Sequence, residues 1–174
     1  SSYMGKNGTE ESFLNMHGKS PKLLHLATHG FYYTPNRAEN VDYLKGYTDA
    51  MSLSGLVMSG GNAAWLGKQL PKGVLGGILT ANDIARLDLS NTDMVVLSAC
   101  QTGQGKATSE GLYGLQRAFK KAGVGTIVMS LWSVSDKTTS EFMTIFYERL
   151  ADKNNAWNKR KAFEEAKEII RKKH

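Results

Sequence analysis

Two residues that follow predicted strands have the chemistry of a nucleophile and its base. An apolar segment at residues 22–28 runs into His29, and a second one at residues 94–99 runs into Cys100, the only cysteine of the chain. A cysteine attacks as its thiolate, and a neighbouring histidine can take the thiol proton and later return it to a leaving amine. Because reacting groups gather beyond the carboxyl ends of parallel strands, the spacing favours a Cys-His site for acyl transfer.

Acyl transfer also needs backbone N–H groups that face the developing oxyanion. Gly30 directly follows the histidine, and with no Cβ it allows a substrate backbone to come close. The N–H of Cys100 is the second candidate donor.

Other interpretations of these residues stay open at this point. A lone cysteine after an apolar strand is usually a small buried hydrophobic residue, and a lone histidine is usually structural. A metal site is not expected, because His25 and His29 on one strand would lie about 13 Å apart. The glycine-rich residues 103–108 lack the Ser or Thr of a phosphate loop, since Ala107 occupies that position.

Composition limits the class of protein. The 174 residues, with 41% hydrophobic and 22% charged, predict one soluble globular domain, with no segment long enough to span a membrane and no secretory signal. A single cysteine excludes an internal disulfide and favours a cytoplasmic setting. The net charge of +6 is concentrated near the end of the chain, where a solvated helix face is favoured over a nucleic-acid surface. The chain begins with Ser1, so we expect it to be part of a longer protein.

Hydrophobic periodicity predicts the elements that must position these residues. Strands are predicted at residues 22–28, 53–59, 94–99 and 126–131, and helices at residues 9–16, 81–86, 110–121, 136–150 and 157–173. Thr80 and Asp83 resemble a capping box at the start of the second of these helices. Residues 34–50 and 62–77 are predicted as loops or, for the latter, a hairpin. The alternation of strands and helices predicts an α/β layered fold with a largely parallel sheet.

Four ordered segments resemble a known family. They are HLATHG at 25–30, GILTANDIARLDLSNTDMVVLSACQTGQG at 77–105, EGLYGLQRAFKKAGVGTIVMSLWSVSD at 110–136 and FMTIFYERL at 142–150. Together they resemble the CHAT domain, a caspase-like cysteine protease family related to separase, over about residues 8–170. The resemblance implies a caspase-like three-layer α/β/α sandwich with a mostly parallel central sheet. It implies a dyad of His29 and Cys100, with the N–H groups of Gly30 and Cys100 as oxyanion donors and no cofactor or metal.

The resemblance also suggests where substrate binds. In separase-like relatives an acidic residue after the LW strand faces a basic side chain next to the scissile bond, and Asp136 matches that position. Trp132 and Ser133 are predicted to line the same pocket. Alternatively, Ser135 or Asp136 caps the helix that follows, and Trp132 belongs to the core.

Two departures from the family pattern concern the ends of the domain and one turn. The strand that normally precedes the first helix has almost no residues here to form it, which favours the C-terminal domain of a chain with an upstream sensor region, such as tetratricopeptide repeats. Gly76 and Gly77 stand where the family often has Asp-Gly, and nothing in the sequence explains this difference.

The sequence therefore predicts a cysteine endopeptidase that cleaves a protein partner when its parent chain is triggered. The family context suggests bacterial signalling or defence, including proteases gated by RNA-guided effectors and proteases that cut gasdermins. Nucleic acid would then act only indirectly, through a parent complex. The alternative is a catalytically silent scaffold or binding module with the same fold.

Overall fold

The chain divides into two compact units, residues 1–133 and residues 134–174. The computed structural model describes residues 2–40, 44–68, 75–98, 100–101, 109–129 and 136–173. Within the first unit the described strands are β1 Leu23–Leu26, β2 His29–Tyr32, β3 Ser54–Val57, β4 Ile78–Thr80, β5 Met94–Leu97, β6 Cys100–Gln101 and β7 Thr126–Met129. Its described helices are α1 Glu10–Leu14, α2 Pro35–Ala38, α3 Gly61–Trp65, α4 Ala81–Ala85 and α5 Ser109–Lys121.

A parallel sheet with the order β1-β5-β7 carries the main core. All four residues of the central strand β5 are buried, as a near-continuous apolar strand of a parallel sheet should be. The core cluster around this sheet includes Val95, Ile84 of α4 and Phe119 of α5. The predicted parallel arrangement of these three strands is confirmed.

A second sheet, with the order β4-β3-β2-β6, is mixed. Strand β2 pairs antiparallel with β3, and β3 pairs antiparallel with β4, whereas β2 and β6 are parallel. The expectation of a largely parallel sheet is wrong for this half of the unit. The connections before β3 and β4, residues 33–53 and 58–77, are long enough for a parallel crossover, so their length does not dictate the antiparallel pairing.

Two continuous chain segments link the sheets, because each segment contributes one strand to both of them. Strand β1 is followed after residues 27–28 by β2, and β5 is followed after residues 98–99 by β6. Leu26 pairs with Leu97, and His29 pairs with Cys100 three residues further along each segment, so the register is the same on both sides of the interruption. His29 and Cys100 thus open the continuing strands, whereas the sequence predicted that they end the first ones.

Local signals in the sequence explain where the helices begin and end. Thr9 caps α1, since its Oγ1 accepts a hydrogen bond from the N–H of Ser12 at 3.1 Å. Thr80 and Asp83 form the predicted capping box of α4. Gly123 has a φ of +96°, the left-handed conformation in which glycine terminates helices, just after the end of α5.

Two predictions about the connecting segments need correction, and one short strand was missed. Residues 34–50 contain the short helix α2, and Ala38 and Leu44 are fully buried. Residues 62–77 overlap helix α3, and residues 69–74 lie outside the described part of the chain. Strand β4 was not predicted, since three residues are too few to display a period.

The second unit is a helix pair, α6 Asp136–Ala151 and α7 Lys159–Lys173. An aromatic cluster joins the helices: the ring of Phe163 on α7 meets Phe142 and Phe146 of α6 edge-on, with centroids 5.2 and 5.9 Å away. Phe146 is fully buried. Both helices were predicted, and α7 begins two residues after the predicted start.

Among the residues that the structure describes, none of the helices has both the length and the apolar character needed to cross a bilayer.

Candidate active site

The backbones of the two predicted reacting residues are neighbours. His29 and Cys100 are register partners in the parallel pair β2–β6. Adjacent strands lie about 4.8 Å apart, so the two backbones are as close as those of any neighbouring strands. His29 is exposed to solvent. The two distant chain segments therefore lie side by side in the sheet. The roles of His29 as base and of Cys100 as nucleophile stay predictions.

Strand β2 is held from both sides, which fixes the backbone of His29. On one side His29 pairs with Val57 of β3, and on the other with Cys100. The hydroxyl of Thr28 also donates to the carbonyl oxygen of Val57. The residue before the histidine is thus tied to β3 by its side chain, at the point where the ladder begins.

The N–H of Gly30 faces the strand that contains Cys100. The N–H of Tyr33 donates to the carbonyl of Leu53 at 2.9 Å, so the pair Tyr33–Leu53 is a hydrogen-bonded pair of the antiparallel ladder. Such pairs alternate along two antiparallel strands. Gly30, which is opposite Leu56, is therefore a non-bonded position toward β3, and its peptide groups are directed to β6. Gly30 itself is buried.

A hydrogen bond between a histidine and a serine lies near this pair in the sequence and was not predicted. His25 Nε2 lies 2.8 Å from Oγ of Ser98, and the N–H of Ser98 donates to the carbonyl of Leu26 at 2.9 Å. Partial burial lowers the pKa of His25, although the residue as a whole is exposed to solvent. From the sequence alone, His25 is a candidate only for metal binding. The contact follows from the common register of the two segments, which places position 25 diagonally across from position 98, and no local pattern in the sequence shows it.

The predicted substrate-binding residues are only partly described. Asp136 is the first residue of α6, in the second unit. Trp132 and Ser133 lie outside the described residues. The pocket role of all three stays a prediction, as does the alternative that Asp136 caps its helix.

Within the described ranges, no group of three or more His, Cys, Asp or Glu side chains is arranged to hold a metal ion. His25 and His29 belong to different strands, β1 and β2.

Comparisons with known proteins add the family. The model of the CHAT domain family matches residues 1–174. No solved structure matches the chain at a significant level.

Two curated relatives are similar over part of the chain. One is tetratricopeptide repeat protein 28 of Mus musculus, 40% identical over 73 residues, and the other is the protein of the same name of Homo sapiens, 37% identical over 73 residues. In each case the matched residues are 42% of this chain and 3% of the relative.

Proposed function

The chain belongs to the CHAT domain family, which is a family of caspase-like cysteine peptidases, and from that premise we propose that it is a cysteine endopeptidase. His29 is the general base and acid, and Cys100 is the nucleophile. The single observation that supports this most strongly is the register that pairs His29 with Cys100 across β2 and β6.

The proposed reaction proceeds in two halves. His29 takes the proton of the Cys100 thiol, and the thiolate attacks the carbonyl carbon of the scissile peptide bond. The tetrahedral intermediate collapses, His29 gives the proton to the leaving amine, and the acyl group stays on the sulfur as a thioester. His29 then takes a proton from a water molecule, whose oxygen attacks the thioester carbonyl. The acid product leaves, and the thiolate recovers its proton.

The negative charge of each intermediate is stabilised by the N–H groups of Gly30 and Cys100. The Gly30 peptide is directed toward β6, the strand that contains Cys100. In a regular parallel ladder the same N–H donates to the neighbouring strand. Binding of the oxyanion therefore requires Gly30 to exchange its strand partner for the substrate oxygen.

Specificity is proposed to depend on charge. The carboxylate of Asp136 would pair with an Arg or Lys side chain that precedes the scissile bond, and Trp132 and Ser133 would line the same pocket. The fold that carries the site is proposed to be the caspase-like three-layer α/β/α sandwich, of which the parallel sheet β1-β5-β7 forms one part.

Regulation is proposed to come from the rest of the parent chain. The chain spans only 3% of the curated relatives that it matches, and both are named for tetratricopeptide repeats. A repeat region of that kind would sense a trigger and expose the site to its protein substrate. The cytoplasmic location and the bacterial signalling or defence setting stay predictions.

An electrophilic peptide probe tests the proposal. The probe is a peptide ending in an arginine acyloxymethyl ketone, and its adduct is measured by intact mass and located by peptide mapping. We expect one adduct per chain, at Cys100, that is lost in His29→Ala. Labelling of His29→Ala at the wild-type rate, or no labelling of the full-length parent under activating conditions, would favour the silent scaffold.

A further inference from the structure

One side-chain hydrogen bond spans the point at which both site-bearing segments are interrupted. Ser98 follows β5 and precedes Cys100 by two residues, and its Oγ lies 2.8 Å from Nε2 of His25 in β1. The N–H of Ser98 donates to the carbonyl of Leu26 at 2.9 Å. Ser98 is therefore tied to the neighbouring segment by its side chain and its backbone together.

The chemistry of His25 suits such a link. Burial is the cause that lowers its pKa, so the imidazole is favoured in its neutral form at neutral pH. A neutral imidazole nitrogen either accepts the hydrogen of a hydroxyl or donates to its oxygen, according to the tautomer. The bond to Ser98 thus needs no charge on either partner.

We propose that His25 and Ser98 are a positioning pair that holds the two interrupted segments in register, so that His29 stays beside Cys100. The proposal rests on the proposed function of the dyad. Strands β1 and β5 keep their register without this bond, so its loss would act on the residues that follow them, which could then shift locally relative to one another. Proton transfer needs heavy atoms within about 2.6–3.2 Å, so even a small local shift would weaken the coupling of the dyad.

The sheet itself does not depend on this bond. Strand β1 pairs with β5 over four register positions, and buried side chains such as Leu24 and Leu26 anchor it in the core. Removing one partly exposed hydrogen bond should therefore leave the fold intact while it loosens the segments after residue 26. A positioning role can therefore be measured, because the reactivity of the site should change while the stability of the fold does not.

The single cysteine provides a specific readout. Alkylation of the full chain by iodoacetamide, followed by intact mass as a function of pH, reports the reactivity of Cys100 alone. We expect Ser98→Ala to slow alkylation at pH 7 about tenfold and to raise the midpoint of the profile toward the free-thiol value of about 8.5. Ser98→Thr retains the hydroxyl and should restore the wild-type profile. The matched control is Ser90→Ala, which removes an exposed 2.6 Å bond to Asp88 before the same strand and should change nothing.

Three outcomes would overturn the positioning pair. The first is a wild-type profile for folded Ser98→Ala. The second is an equal loss of Cys100 reactivity in Ser98→Thr and Ser98→Ala, because the Ser98 hydroxyl would then not be the group that supports this reactivity. If circular dichroism shows that Ser98→Ala does not fold, His25→Ala removes the same bond from its exposed partner, and a wild-type profile there is the third.

The variant His29→Ala separates this failure from a failure of the dyad. If His29→Ala shifts the alkylation profile and Ser98→Ala does not, the positioning pair is wrong and the dyad stands. If His29→Ala also leaves the profile unchanged, the proposed dyad itself is wrong.

Discussion

Cys100 is the one thiol of the chain, so every thiol reaction of the protein reports on a single residue. Its proposed partner His29 is exposed and lies on a strand fixed from both sides. Residue types and their places after apolar segments made both of them candidates, the family resemblance pointed to the dyad, and the catalytic roles stay predictions. The His25–Ser98 bond was not predicted, because it depends on the register of two segments across an interruption that no local pattern reveals.

Replacement of the nucleophile should remove activity without removing the fold. In Cys100→Ala we expect no cleavage of any substrate that the wild-type chain cuts, since the thioester cannot form. The measurement compares new protein amino termini in lysates treated with the full-length parent and with its Cys100→Ala form, and circular dichroism controls for folding. Cuts that persist at the same sites in the variant would exclude Cys100 as nucleophile.

The two roles considered for Asp136 can be separated by a conservative change. Asparagine caps a helix about as well as aspartate but lacks the charge. If Asp136 binds the basic side chain, both Asp136→Ala and Asp136→Asn should lower kcat/KM for an arginine substrate by about 10- to 100-fold, as expected for a lost charge-assisted bond of about 1.5–3 kcal/mol. If Asp136→Asn keeps full activity and only Asp136→Ala loses thermal stability, the residue is a cap.

At the scale of elements, the cap of α4 offers a quantitative check. Thr80 Oγ1 accepts from the N–H of Asp83 at 3.2 Å, and Asp83 Oδ2 accepts from the N–H of Thr80 at 3.0 Å. We expect Thr80→Ala to lower the free energy of unfolding by about 1 kcal/mol, and Thr80→Ser to retain most of it. Urea unfolding of both variants measures this. An equal loss in both would mean that the Thr80 methyl group, rather than its hydroxyl, stabilises the helix.

The elements that the sequence predicted well are those with a strong period or a clear end. Helix α5 ends where Gly123 adopts a positive φ, and β5 is apolar at every position. The strands that the sequence did not predict are either short or directly continue a predicted strand. Strand β4 has three residues, and β2 belongs to the same run of sequence as β1. The break between them depends on pairing with β3 and β6, which are distant in sequence.

At the scale of the whole molecule, one buried carboxylate predicts how stability depends on pH. Glu10 of α1 is buried, and its Oε2 accepts the N–H of Gly77 at 2.9 Å. Burial raises its pKa above the ordinary 4.5, and the bond from Gly77 offsets this only in part. The folded state therefore holds this proton more tightly than the unfolded state, and the contribution to stability falls as the pH rises through the folded pKa.

The variant Glu10→Gln tests this sign. The free energy of unfolding of the wild type should fall, relative to that of Glu10→Gln, as the pH rises from about 4 to about 7. Other titrating groups are common to both proteins and cancel in the comparison. Urea unfolding across this range provides the two curves. If the difference in free energy of unfolding between the wild type and Glu10→Gln stays constant with pH, the prediction is wrong, because Glu10 would then have the same pKa in the folded and unfolded chain.

The topology of the first unit follows only in part from the sequence. Alternating strands and helices predicted the parallel sheet β1-β5-β7, because each crossover includes a helix or a long connection. The antiparallel direction of β3 and β4 depends on tertiary packing, which the pattern of strands and helices in the sequence does not reveal. The mixed sheet that results is nevertheless the one that pairs His29 with Cys100.

The most direct test of the dyad is a crystal structure of the chain reacted with an arginine peptide aldehyde. The account predicts a bond between the aldehyde carbon and Sγ of Cys100, with a ring nitrogen of His29 within about 2.6–3.2 Å of the adduct and its oxygen facing the N–H of Gly30. An imidazole on the opposite face of the sheet from the sulfur, with no room for a peptide between them, would contradict it.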